Sequence, residues 1–179
     1  MKWAAFKKEA SEIASSAEML IEKSGVILLG TIRKDGSPRI SPVEPFIVDG
    51  ELQLGMMPRS LKALDLRRDP RCTIHSAVSD RMARDGEFKL HGHAVEVRDP
   101  EKRRRYEKAL LENIGWSPEG MDYPLYSIEI ASAAFFVNLD DERIVKRWRA
   151  GERPQEFRQG IEGGEEPNQR APGQERLDG

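Results

Sequence analysis

Two short stretches of the chain carry residue types that bind phosphate. PRISPV places Arg39 and Ser41 in a strand-like run, and MPRSLKA places Arg59, Ser60 and Lys62 at the start of a predicted helix. A helix N-terminus offers unpaired N–H groups and a positive partial charge, which a hydroxyl and an ammonium group reinforce. If the strands lead into this helix, Arg39 can reach the same anion. The pattern predicts a phosphate site beside a strand.

Three prolines set the strand-like run apart. Pro38, Pro42 and Pro45 lie in or beside SPRISPVEPFIVDGELQLGMM, whose apolar and β-branched residues predict two strands joined at Asp49-Gly50. Proline cannot donate a hydrogen bond within a sheet, so it is confined to edge strands, bulges and strand starts. We therefore expect something other than a neighbouring strand to face this backbone.

Other reactive residue types predict little chemistry. There is no Gly-x-Ser-x-Gly turn, and Cys72, the one cysteine, is predicted to lie buried in a strand, so a hydrolase is disfavoured. His91 and His93 share one face of a predicted strand, with His75 on another strand. Such histidines are more often solvated than bound to a metal, so we predict no metal site.

A single cysteine fits a reducing compartment, and we expect a cytoplasmic protein.

The apolar pattern predicts many short antiparallel strands and a few helices. Strand-like runs and Asp-Gly turns follow an amphipathic helix that places Trp3, Phe6, Ile13, Ala17 and Leu20 on one face. Two further helices are predicted, one capped by Ser60 and ending at Pro70 and one in DPEKRRRYEKALLENIGW. Later strands are predicted in RCTIHSAV, GEFKLHGHAVEV, LYSIEIASAAFFVNL and ERIVKRWR. The predicted fold class is mainly β, a small antiparallel β-barrel with an N-terminal helix and two further helices.

Length and charge limit the remaining possibilities. The 179 residues suit one domain, predicted over 1–150, while 151–179 is rich in Gly, Pro, Gln and Glu and is predicted to be a flexible tail. A formal net charge of −2, and acidic residues interleaved with KRRRYEK, argue against nucleic-acid binding. No apolar run approaches 18 residues, so no membrane association is expected.

From about Gly25 to Trp148 the sequence resembles the pyridoxamine 5'-phosphate oxidase-like flavin-binding split-barrel proteins. The resemblance rests on GTIRKDGSPRISPVEPF, SLKALDLRRDPR and GEFKLHGHAVEV. In that family the second strand lies along the isoalloxazine ring of FMN, and a turn that opens the next helix holds its phosphate. The resemblance implies that Ser60 and Lys62 hold the phosphate and that the ring is lined by Arg39, Ile40, Ser41, Pro42 and Val43. The N–H groups of Ser41 and Val43 would be free for the ring's polar edge.

The same resemblance implies a split β-barrel that works as a homodimer, with FMN at the subunit interface. The implied activity is hydride transfer through the flavin to or from a small-molecule substrate, because the cofactor performs the electron transfer and the protein supplies position and electrostatics.

Some positions depart from the family pattern. The oxidases themselves have a basic residue where Glu44 stands and an arginine where Leu61 stands, and they end in Arg-Leu-His-x-Arg where this chain has RIVKRWR. Arg147 of that run is the residue that could approach the cofactor. We therefore expect a substrate other than vitamin B6. Two alternatives concern the cofactor: a deazaflavin, or haem bound by the histidines. Two concern the function: a carrier or sensor without turnover, or a structural dimer with an empty groove.

Overall fold

A computed structural model describes residues 1–78 and 81–160 of the chain. The helices are α1 (Trp3–Glu9), α2 (Ser11–Ser24), α3 (Leu61–Arg68) and α4 (Pro100–Ile114). The strands are β1 (Ile27–Ile32), β2 (Pro38–Val43), β3 (Pro45–Val48), β4 (Glu51–Gly55), β5 (Arg71–Ser76), β6 (Glu87–Glu96), β7 (Leu125–Leu139), β8 (Glu142–Arg149) and β9 (Gln155–Gly160). The predicted fold class, a mainly β split barrel of antiparallel strands with added helices, is confirmed.

The sheet is curled, because the strands at the two ends of its pairing order, β2 and β3, are joined by a very short connection. Its order is β2-β1-β5-β6-β7-β4-β3, with β8 paired to β7 and β9 paired to β8. Only Glu44 separates β2 from β3 in the chain, so the two ends of this path must lie close together although they do not pair. The run predicted as one strand from Pro38 to Val48 is therefore two strands, and the barrel is open between them.

This opening explains the prolines. Among the described residues, β2, which holds Pro38 and Pro42, pairs only with β1, and β3, which begins at Pro45, pairs only with β4. Both strands are edges, where a missing N–H breaks no pairing. In the described part of the chain no further strand pairs with either edge, and what faces this backbone stays a prediction.

The N-terminal helix predicted as one piece is two helices. The break is at Ala10, whose backbone (φ −136°, ψ 58°) is not helical. Trp3 and Phe6 of α1 are buried against the barrel, and so are four apolar residues of α2, namely Ile13, Ala14, Ala17 and Leu20. The Trp3 Nε1–H donates to the Glu18 carboxylate at 2.8 Å, which holds the two helices together. The break lets both short helices direct their apolar faces into the same core.

A second, smaller core lies beneath α4. Tyr106 and Leu110 of this helix pack with residues of β3, the β6–α4 loop, the loop before β7 and β7, namely Val48, Val97, Tyr123 and Leu125. Asp99 caps the helix by accepting from the N–H groups of its first turn. Glu51 of β4 binds Lys102 of α4 at 2.7 Å and Lys2 at 3.3 Å. These contacts fix α4 over the end of the barrel where β2, β3 and β4 meet.

The chain does not become a flexible tail directly after residue 150. β9, from Gln155 to Gly160, pairs with β8, with all of its side chains exposed. Backbone hydrogen bonds therefore order this segment without apolar burial, which the composition could not reveal. Residues 161–179 of the predicted tail lie outside the described residues. Within the described ranges, no helix is long and apolar enough to cross a membrane.

Candidate cofactor site

The closing hydrogen bond of the β1–β2 hairpin determines which backbone groups of β2 point away from β1. The Arg33 N–H donates to the Ser37 carbonyl at 2.8 Å, and this pair lies in the same register as the β1–β2 ladder. Hydrogen-bonded positions recur at every second residue of an antiparallel pair. The backbone groups that point to β1 are therefore those of Arg39, Ser41 and Val43, and the backbone groups of the intervening residues point outward.

This alternation corrects one expectation about the site. The N–H groups of Ser41 and Val43 are not free, because they face β1. Pro38 and Pro42 face outward but have no N–H, so Ile40 provides the one outward N–H of β2. The Ile40 side chain is 73% exposed. A ligand along this edge would meet a single backbone donor between two prolines.

The start of α3 lies against this edge. The Lys62 ammonium donates to the outward carbonyl of Pro42 at 3.0 Å, and burial lowers the pKa of Lys62. The Ser60 hydroxyl caps the helix by accepting from the Ala63 N–H at 3.4 Å. The N–H groups of Leu61 and Lys62, at the first two positions of α3, have no acceptor in the described part of the chain. We call the Lys62 ammonium, the Ser60 hydroxyl and these two N–H groups the donor cluster, because all of them lie at the start of α3. Ser60 borders a separate cavity with Arg59 and Arg67, which Lys62 does not line.

Arg39 is engaged elsewhere. Its Nε donates to the Asp65 carboxylate at 2.6 Å, and Asp65 also accepts from the Thr31 hydroxyl at 3.0 Å. Asp65 is only 4% exposed. Burial alone would raise its pKa, but the hydrogen bonds from Arg39 and Thr31 outweigh burial and lower it. The expectation that Arg39 reaches a phosphate at Ser60 is not met; Arg39 instead fastens β2 to α3.

Sequence reasoning missed Asp65. The signal that was available is its place between Ala63 and Leu66, which lie on the buried face of α3. An acidic residue on such a face requires a cationic or hydroxyl partner.

A cavity of about 360 Å³ is lined by Lys62 and not by Ser60. It is bounded by the ends of β2 and β4, by α4 and by the loop before β7. Tyr106 accepts a hydrogen bond from the Gly55 N–H at 3.1 Å in its wall. Burial raises the pKa of Tyr106 to about 12, and the negative charge of Glu44 adds to that effect. Pro42, Val43 and Lys62 of the predicted site also line this cavity.

The other predicted residues lie apart. Arg147 lines a different cavity on β8 with Arg149 and Arg153, so it does not join Lys62 within one chain. His75, His91 and His93 line a third cavity on the outer face of the sheet, together with Arg39 and Ile40. Among residues 1–78 and 81–160, no three His, Cys, Asp or Glu side chains are grouped as metal ligands.

The donor cluster fits the phosphate of FMN. Lys62, Ser60 and the free N–H groups offer charge and directed donors at the start of one helix, which is the kind of site that binds phosphate. Ile40 offers a backbone donor farther along the same edge. Arg39 and the N–H groups of Ser41 and Val43 do not contribute to this fit.

Comparison with known proteins supports the resemblance in the sequence. Residues 14–137 match the family model described as pyridoxamine 5'-phosphate oxidase. No curated protein matches the chain. A conserved hypothetical protein from Mycobacterium tuberculosis is 25% identical, with a TM-score of 0.55 over 65% of this chain and 81% of that one.

Two more solved structures share the fold. A putative pyridoxamine 5'-phosphate oxidase from Listeria innocua is 16% identical, with a TM-score of 0.54 over 66% of this chain and 94% of that one. A heme binding protein from Mycobacterium smegmatis is 19% identical, with a TM-score of 0.52 over 81% of this chain and 57% of that one. The family model spans more than half of the sequence, and the split barrel agrees with it. The chain therefore belongs to the pyridoxamine 5'-phosphate oxidase-like family.

Proposed function

We propose that the protein is an FMN-binding oxidoreductase that transfers a hydride through the flavin to or from a small-molecule substrate. The observation that carries the proposal is the contact between Lys62 and Pro42, which puts the donor cluster of α3 on the outward edge of β2. FMN carries a phosphate and a flat ring, so it would need phosphate donors and a free strand edge next to each other.

Each residue has a distinct part in this proposal. Lys62 supplies charge to the phosphate, and Ser60 and the first N–H groups of α3 supply directed hydrogen bonds. Ile40 donates from the outer edge of β2 to a polar atom of the ring. FMN, when bound, supplies the hydride chemistry, and the cavity beside Pro42 excludes water and receives the substrate. Arg39 acts through Asp65 by holding the edge and the helix in register.

The proposal includes a homodimer with the cofactor at the subunit interface, in the cytoplasm. The outer face of the sheet carries exposed apolar side chains on β1 and β2, with Leu28 at 36% and Ile40 at 73% exposure. A second subunit would cover these side chains and could bring Arg147 to the cofactor of its partner. Sedimentation or light scattering measures the subunit number directly.

The test begins with the absorbance spectrum of the protein purified from cells, before and after FMN is added and the excess removed. Flavin bands that persist, and that bleach when a reduced nicotinamide is added without oxygen, support the oxidoreductase. A protein that retains no flavin after FMN is added contradicts it. Bound flavin that no nicotinamide or other two-electron donor reduces would indicate a carrier without turnover.

A haem- or deazaflavin-binding carrier of the same fold is the second candidate. The observation that favours haem is the presence of His75, His91 and His93 along one open cavity, and one structural neighbour is a heme binding protein. A Soret band in the purified protein, lost when His75 or His91 is replaced, would support haem. Retention of a deazaflavin but not of FMN would support the other carrier.

A further inference from the structure

We propose that the cavity beside Lys62 binds a substrate with an apolar body and a cationic amino group, and rejects anionic substrates. This inference rests on the proposed function, because it concerns the substrate that would meet the bound FMN. It follows from the charges and walls of the cavity.

Glu44 gives the mouth of the cavity a negative charge that no ion pair of the described residues neutralises. It lies between the two edge strands β2 and β3 and lines the cavity. Its carboxylate has no hydrogen bond or ion pair with any residue of the described ranges, and its charge reaches Tyr106, whose pKa it helps to raise. The side chain is exposed, so its charge meets a cation at the mouth of the cavity.

The other charged residue of the cavity is already engaged. Lys62 donates to the Pro42 carbonyl at 3.0 Å. In the proposed function, Lys62 also binds the FMN phosphate, so its charge is balanced. The remaining field in the cavity is then negative, from Glu44 and from the phosphate. An anionic substrate would be repelled, and an ammonium group would be attracted.

The walls define the rest of the substrate. Met56, Leu110, Trp116 and Met121 contribute apolar and aromatic surface, and the volume of about 360 Å³ lies within the range of small-molecule sites. The Tyr106 oxygen accepts from Gly55, so its own O–H remains able to donate. An aromatic or branched aliphatic amine matches this combination of one carboxylate, one hydroxyl and apolar walls.

Binding of three probes of similar size tests the proposal: 2-phenylethylamine, 2-phenylethanol and 3-phenylpropionate. Trp116 is 45% exposed at the cavity, so tryptophan fluorescence reports binding to FMN-free protein, in which Lys62 offsets Glu44 and the preference should be weaker; Trp116→Phe assigns the signal. Flavin absorbance reports binding to FMN-loaded protein. In that protein we expect the amine to bind at least about tenfold more tightly than the carboxylate, roughly the effect of one charge.

Variants of Glu44 separate charge from shape. Glu44→Gln should bring the amine and the alcohol to similar affinity, and Glu44→Lys should favour the carboxylate. Glu119→Gln, which removes an exposed charge from the loop before β7, should leave the preference unchanged. Equal binding of amine and carboxylate, or a preference that Glu44→Gln leaves intact, overturns the proposal. Bound FMN without the amine preference overturns this inference alone, whereas no FMN binding overturns the proposed function.

Discussion

Replacing Asp65 with alanine tests whether the Arg39–Asp65 pair fastens the edge strand β2 to α3. The carboxylate accepts from Arg39 at 2.6 Å, from Thr31 at 3.0 Å and from Arg68 at 3.3 Å. Removing one partner of a buried ion pair costs about 3–5 kcal/mol. The Arg39 side chain is 19% exposed, so water compensates in part, and we expect a loss of about 2–4 kcal/mol in the free energy of unfolding.

Urea denaturation measures this loss. With a denaturant slope of about 2 kcal/mol per molar, the midpoint should fall by about 1–2 M. Asp141→Ala, in the exposed turn between β7 and β8, is the matched control and should leave the midpoint almost unchanged. Similar midpoints for the two variants would refute the role assigned to Asp65.

The effect of Asp65→Ala should depend on pH. The pKa of Asp65 is lowered in the folded protein, so the carboxylate stabilises the fold above its unfolded pKa of about 3.9. That stabilisation is lost as the pH falls through the lower, folded value. The difference between Asp65→Ala and the wild type should therefore be full at pH 7 and shrink below about pH 4.

Other predictions concern the sheet and the acid stability. Gly92→Ala should lower the free energy of unfolding by more than about 3 kcal/mol, because an added Cβ would overlap the Glu129 carbonyl oxygen. Gly30→Ala is the control: the atom nearest to its added Cβ lies at 3.5 Å, so stability should change by less than about 1 kcal/mol. Equal melting temperatures for the two would contradict this. Burial alone would raise the pKa of Glu51, but hydrogen bonds from Lys102, Ser127 and Lys2 lower it to about 2. Up to about 3 kcal/mol of stability should be lost in the wild type between about pH 4.5 and 2, and Glu51→Gln should flatten this decline; an unchanged decline would refute the role of Glu51.

Much of the fold was predictable from local chemistry. Asp35-Gly36 and Asp49-Gly50 lie in the β1–β2 and β3–β4 turns as predicted, and Ser60 caps α3. The prolines of β2 predicted an edge strand because proline lacks a donor, a property that does not depend on tertiary structure. The break at Ala10 was not predictable, because alanine favours helix, yet here it is buried in a non-helical conformation. The strand β9 was also missed, because backbone pairing with β8 orders a segment that buries no side chain.

The candidate site was predictable only in part. Ser60 and Lys62 carry a local signal, since they open a helix, and the structure brings Lys62 to Pro42. Which N–H groups of β2 point outward depends on the register with β1, which residue types do not specify. Arg39 has the same residue type whether it binds a phosphate or a carboxylate. Its actual partner, Asp65, lies 26 residues away and is brought to it by the fold.

A comparison of FMN and riboflavin binding tests the central claim most directly, because the two ligands differ only in the phosphate. The account predicts that the wild type binds FMN at least about tenfold more tightly than riboflavin, as expected for one lost charge-assisted contact. Lys62→Met should remove most of that difference while leaving riboflavin affinity unchanged, and Lys34→Met, in the exposed β1–β2 turn, should change neither. Equal affinities for the two ligands in the wild type, or a preference for FMN that survives Lys62→Met, would contradict a phosphate site at the start of α3.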